Sequence, residues 1–117
     1  MAAKKKNKKK IKNFSFKNCE GAKYEVIFNK PNAKHFGEDT EGVCHPPNET
    51  TSKIYISPYL TKQSELNTVI HEMAHAFFWE SSEKTVTKFA NSCSRFLYGE
   101  CGWRKTERRR SKQYRGK

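Results

Sequence analysis

Residues 65–79 read ELNTVIHEMAHAFFW, and this stretch decides how the rest of the chain is interpreted. Apolar side chains recur in it every three or four residues, which is the spacing of one face of an α-helix. They are Leu66, Val69, Ile70, Met73, Ala74 and Phe77. The pattern begins near Lys62 and stops after Trp79, so it predicts a helix over about residues 62–79, with Thr61 or Ser64 as its N-cap.

The predicted helix contains the motif His71-Glu72-Met73-Ala74-His75, which has the form HExxH. Residues four apart lie on one helix face with Cβ atoms about 5–6 Å apart, so both imidazoles can bind one zinc ion. Glu72 is rotated roughly 100° from His71 and can instead take a proton from a water molecule that attacks a carbonyl carbon. The motif therefore predicts His71 and His75 as zinc ligands and Glu72 as the catalytic general base.

A zinc site of this kind needs a third protein ligand. Glu83 is favoured because it opens a second helix that must fold back on the first, although glutamate is also common in a first helical turn for its interaction with the helix dipole. Glu80 is poorly aimed, since it follows His75 by five residues and lies about 140° around the helix. His45 is an equal alternative to Glu80. More distant candidates are His35 and Cys44.

A second helix is predicted to begin after the N-cap Ser82 and to end near Gly99 or Gly102. Its apolar face is expected to pack against the first helix. That face contains Val86, Phe89, Ala90, Cys93, Phe96 and Leu97. Cys93 is interpreted as a packing residue, because it lies within this apolar pattern.

The segments before the first helix predict about three short strands. Residues 13–30 are expected to be extended, with a strand pattern at Tyr24, Val26 and Phe28, and further strands are expected at residues 42–45 and 53–57. The predicted fold class is therefore α+β, with three short strands followed by two packed helices over residues 13–102.

Two features of this region suggest a substrate cleft. Residues 53–57 are predicted to form an edge strand that could pair with an extended peptide. Tyr55 or Tyr59 could donate a hydrogen bond to a developing oxyanion, although both are more often packing residues. Residues 44–47 are expected to line the cleft.

The net charge of +12 in 117 residues comes from the two ends of the chain. Residues 4–12 contain seven lysines, and residues 103–117 contain eight Lys or Arg and one Glu. Residues 13–102 contain nine basic and eleven acidic residues. The tails, residues 1–12 and 103–117, are thus predicted to be disordered. They either bind nucleic acid non-specifically or serve only as solvated tails.

Composition also predicts the compartment. The charged start has no apolar stretch of about 7–15 residues behind it, and no run approaches ~18 apolar residues, so neither a secretory signal nor a membrane span is expected. An intracellular location, free or virion-associated, is predicted. The four cysteines lack CxxC spacing and are expected to be reduced thiols.

Residues 42–104 resemble the zincin metallopeptidases, and in particular the minimal SprT-like proteins often encoded by bacteriophages. The resemblance rests on the motif helix, residues 42–44 and 54–57 before it, and Ser82-Glu83 and Gly102-Trp103-Arg104 after it. It implies a peptidase in which His71 and His75 bind the metal and Glu72 is the acid/base. Glu83 is similar to the downstream acidic ligand of the gluzincin-like and ImmA-like branches.

Three features depart from the family pattern. No third histidine follows the motif, the spacing from His75 to Glu83 is shorter than in common gluzincins, and there is no C-terminal zinc ribbon. The leading prediction is a zinc-dependent endopeptidase acting on a protein or peptide, near nucleic acid. The alternative is a non-catalytic, zinc-stabilised module that binds nucleic acid or belongs to a virion. A metal-free basic scaffold is the third hypothesis.

Overall fold

A computed structural model describes residues 13–29, 40–47 and 50–106 of the chain. The strands are β1 (Phe14–Lys17), β2 (Lys23–Phe28), β3 (Gly42–Cys44) and β4 (Ser52–Ile56). The helices are α1 (Lys62–Phe77) and α2 (Glu83–Ser94), followed by a π-helical turn, Arg95–Glu100. The predicted α+β class is confirmed. Residues 1–12, His35 and the chain beyond residue 106 lie outside the described residues.

The sheet has four strands, one more than predicted, because the segment after residue 13 folds into a hairpin. The Asn18 side-chain oxygen accepts hydrogen bonds from the backbone N–H groups of Glu20 and Ala22, at 3.0 and 2.9 Å. Gly21 has a φ of 84°, which glycine adopts without steric cost. This turn pairs β1 antiparallel to β2. The predicted extended segment, residues 13–30, therefore contains two strands, which accounts for the additional strand.

The order of strands in the sheet is β1-β2-β4-β3. β4 pairs parallel with β2 on one side and antiparallel with β3 on the other, so the sheet is mixed. The predicted edge strand at residues 53–57 is thus an interior strand, and β3 forms the edge nearest the motif helix. That prediction was wrong because a strand's alternation of apolar residues reports which face is buried, not which neighbours it has.

The hydrophobic core lies between the sheet and α1. Its buried members are Tyr24, Val26, Ile54, Ile56 and Ala76. Val69 and Met73 of α1 pack against them, as the helical spacing predicts. Thr61 is the N-cap of α1, where its hydroxyl accepts a hydrogen bond from the Ser64 N–H at 3.4 Å.

α2 packs against α1 through a narrower face than predicted. Its N-cap is Ser82, whose hydroxyl accepts from the Thr85 N–H at 3.1 Å, as expected. Val86 and Ala90 are buried, but Phe89 and Phe96 are 48% and 58% exposed, which contradicts their predicted place on the buried face. Phe89 is exposed because α2 packs against one helix only and buries a single narrow stripe of its surface. Phe96 lies in the π-helical turn after Ser94, where the angular spacing of side chains differs from that of an α-helix.

Two composition-based expectations bear on this fold. All four cysteines are free thiols, as predicted, and Cys93 is partly buried in α2. No helix within residues 13–29, 40–47 and 50–106 is long and apolar enough to cross a membrane.

Candidate metal centre

Three side chains converge where α1 meets the start of α2. The Glu83 carboxylate places Oε2 2.9 Å from His71 Nε2 and Oε1 2.9 Å from His75 Nε2. The candidate ligand atoms of these three residues all lie within 4.8 Å of one another. The group could therefore hold a metal ion. Of the five residues considered from the sequence as a third ligand, Glu83 is the one that the structure brings to the two histidines.

The local sequence explains this convergence. His71 and His75 lie one helical turn apart, with ring centroids separated by 4.9 Å. α1 ends at Phe77, and the Phe78 N–H donates to the Ala74 carbonyl at 2.8 Å in a final turn. The short connection that follows reverses the chain, and the Ser82 cap then starts α2 at Glu83. The first side chain of α2 consequently faces the imidazoles of α1.

Glu72 lies beside this group but on the sheet side of α1, where its side chain is buried. Burial raises the pKa of the Glu72 carboxyl to about 7, and the negative charge of Glu83 adds to the rise. A carboxyl group with a pKa near neutrality can both accept and release a proton. Glu72 is thus placed for proton transfer within reach of the three converging side chains.

The position of Glu72 depends on Gly42, a residue whose role the sequence did not predict. A Cβ atom at Gly42 would lie 2.7 Å from Thr68 Cγ2 and 2.9 Å from Glu72 Cγ. Both distances are far below van der Waals contact, so any larger residue would push β3 and α1 apart. The only sequence signal was a glycine at the start of a short strand, which often marks a close backbone approach.

Two adjoining cavities lie along β3. One, of about 260 Å³, is lined by β3, the three converging side chains, Glu72 and Trp79. The other, also about 260 Å³, contains Glu41, whose carboxylate accepts a hydrogen bond from Thr68 Oγ1 at 3.2 Å. Gly42, His71 and Glu72 line both. Among the described residues no lysine or arginine lines either cavity, so the cleft is acidic.

The remaining ligand candidates lie elsewhere. Glu80 lines a separate cavity together with Asn18 and Phe78. The ring of His45 packs edge-on against Tyr55, with centroids 5.7 Å apart. That contact is on the sheet face away from α1, because Tyr55 alternates with two buried isoleucines of β4.

The two tyrosines suggested as oxyanion donors do not line the cleft either. Tyr55 faces away from α1, and Tyr59 is 84% exposed and borders neither cavity. The suggestion that one of them acts there was therefore wrong. Of residues 44–47, which are predicted to line the cleft, Cys44 does so, whereas His45 packs against Tyr55 and Pro47 lines the separate cavity. Burial together with the charge of Glu72 raises the pKa of the Cys44 thiol to about 12. Its thiol is protonated at neutral pH, and the structure does not place it in the converging group.

The geometry thus joins a potential metal-binding group, a buried carboxyl group and an edge strand in one cleft. No model of a known protein family matches this chain, and neither does any curated protein or solved structure.

Proposed function

We propose that this protein is a zinc-dependent peptidase that cleaves amide bonds in an extended protein or peptide. The observation that carries the proposal is the convergence of His71, His75 and Glu83 next to the buried carboxyl group of Glu72. Both elements lie in a cleft bordered by the edge strand β3. Metal-assisted amide hydrolysis requires metal ligands, a proton acceptor and a backbone that can align the substrate.

Zinc fits the donor set. Two imidazole nitrogens and one carboxylate oxygen form a ligand set of catalytic zinc sites. Ligands bound at about 2.0–2.1 Å in a tetrahedron lie about 3.3 Å from one another. The N–O distances of 2.9 Å at Glu83 are shorter by a few tenths of an ångström, so only small side-chain adjustments are needed. Glu83 is largely exposed, which leaves its carboxylate free to make them.

Each residue then has a defined task. Bound zinc would supply Lewis acidity and lower the pKa of a coordinated water molecule. Glu72 would accept a proton from the water molecule that attacks the substrate carbonyl carbon, and would later give it to the leaving amine. Among the described residues β3 is an edge strand, so its outer edge can pair with the substrate backbone and an extended peptide can lie along the cleft. Gly42 keeps Glu72 against that strand.

We further propose that the protein is a minimal zincin of the SprT-like type encoded by bacteriophages. The motif helix and the neighbouring edge strand support this relationship, whereas the downstream glutamate resembles the acidic ligand of the gluzincin-like and ImmA-like branches. The basic sequences at residues 4–12 and 103–117 support a location near nucleic acid, because clustered Lys and Arg replace counterions on phosphates.

Hydrolysis of unfolded proteins tests the proposed activity. Full-length protein with stoichiometric zinc should cleave casein, because an unfolded chain can extend along β3. Treatment with a zinc chelator should abolish cleavage, and added zinc, but not magnesium, should restore it. Products would be followed by mass spectrometry. If zinc is bound stoichiometrically and no member of a panel of unfolded proteins is cleaved, the protein is not a peptidase.

A further inference from the structure

A second groove, of about 300 Å³, lies on a different side of α1 from the metal centre. Its apolar walls are formed by Leu66 and Val69 of α1 and by the rings of Tyr98 and Trp103. Val69 and His71 are two residues apart, which places them roughly 200° apart around the helix. The groove and the candidate zinc ligands therefore face different directions, and a ligand in one does not obstruct the other.

Aromatic rings and cations alternate along this groove. The Arg104 guanidinium carbon lies 3.6 Å from the centroid of the Tyr98 ring. The Lys105 ammonium group lies 4.7 Å from the centroid of the neighbouring Phe28 ring. Trp103 is 65% exposed, so much of its indole ring is available to a ligand. An exposed ring can stack on a flat ligand, and cations beside the ring attract negative charge.

The charge of the groove is positive, in contrast to the acidic cleft at the metal centre. Lys62, Arg104 and Lys105 line it, and its one acidic residue, Glu65, is paired with Lys105 at 2.8 Å. Lys62 and Arg104 thus have no acidic counterpart in the lining of the groove. In sequence the groove is followed by residues 107–117, which contain six more Lys or Arg and one Glu.

We propose that this groove binds single-stranded nucleic acid, with one base stacked on Trp103 and the adjacent phosphates near Lys62 and Arg104. Every base has a flat π face, so stacking on an aromatic ring requires no particular sequence. The cations neutralise the backbone. In a duplex the bases are already stacked on one another, and their faces cannot reach the indole ring. The groove therefore selects single strands.

The decisive comparison separates base stacking from attraction to charge. Full-length protein would be titrated with a labelled oligothymidine of about 15 nucleotides and with an abasic strand of the same length and charge. Stacking of one base should make the oligothymidine bind about 5- to 150-fold more tightly. The preference should be the same with zinc or chelator present, because the groove is separate from the metal centre.

The Trp103→Ala variant should lose this preference while still binding both strands through its charges. Phe89→Ala is the matched control, because it removes an exposed aromatic ring from α2 and should keep the preference. Far-ultraviolet circular dichroism would verify that both variants fold. The proposal is overturned if the wild type binds both strands equally, if it prefers a duplex, or if Trp103→Ala retains the preference.

Discussion

Replacing Glu72 by Gln should reduce kcat/KM for casein hydrolysis by about 10²–10⁴-fold, the contribution typical of a positioned acid or base. Glutamine has nearly the same shape as glutamate, so it fits the space against Gly42. It cannot accept the proton of the attacking water. Glu72 is not part of the group formed by His71, His75 and Glu83, so the variant should still bind one zinc ion. Steady-state cleavage rates and zinc content would be measured on the same preparation.

Glu80→Gln provides the matched control for this experiment. It makes the same chemical change, but at an exposed residue that lines a different cavity. Its cleavage rate should stay within about twofold of the wild type, because surface substitutions have small effects. If Glu72→Gln cleaved casein as fast as the wild type, Glu72 would have no catalytic role. If neither the wild type nor the variants cleaved it and all bound zinc, a non-catalytic zinc-stabilised module would be the better account.

Removing zinc should lower the Tm of the protein by about 10–20 °C. A ligand present at a hundred times its Kd stabilises the folded state by about 2.7 kcal/mol. In a domain of this size each kcal/mol shifts Tm by about 4–8 °C. The effect is large because the metal would join α1 to α2, and α2 buries only a narrow stripe of Val86 and Ala90. Calorimetry of the zinc-loaded and chelated protein would measure the shift.

Two histidine variants determine where that stabilisation originates. His75→Ala should melt at the same temperature with and without zinc, because it removes one of the three converging ligands. His45→Ala should retain the full zinc-dependent shift, since its ring packs against Tyr55 on the far face of the sheet. Equal melting temperatures of the loaded and chelated wild type would show that the metal does not connect the two helices.

Features encoded by neighbouring residues could be predicted from the sequence. Spacing within a few residues is enough to predict the helical repeat of α1, the Ser82 N-cap and the placement of His71 and His75 on one helix face. The choice of Glu83 over Glu80 does not follow from spacing alone, because it depends on where α1 ends. The chain leaves the helix after Phe77, which turns Glu80 toward another cavity and brings Glu83 back to the imidazoles.

Features that depend on distant pairing could not be predicted in the same way. β4 is the interior strand because β2, far away in sequence, pairs with it in parallel, and no local pattern reports this. The close approach at Gly42 likewise exists only once β3 lies against α1. Phe89 is exposed because α1 covers only a narrow part of the surface of α2. An amphipathic pattern shows which face of a helix is apolar, but not how much of that face a neighbouring helix covers.

Zinc K-edge X-ray absorption of the stoichiometrically loaded protein tests the metal centre most directly. Ligation by His71, His75 and Glu83 predicts only nitrogen and oxygen neighbours, at about 2.0–2.2 Å, with the multiple-scattering signature of two imidazoles. The protein also has four free thiols, which are strong zinc ligands. Sulfur neighbours at about 2.3 Å, or the absence of an imidazole signature, would contradict the assignment.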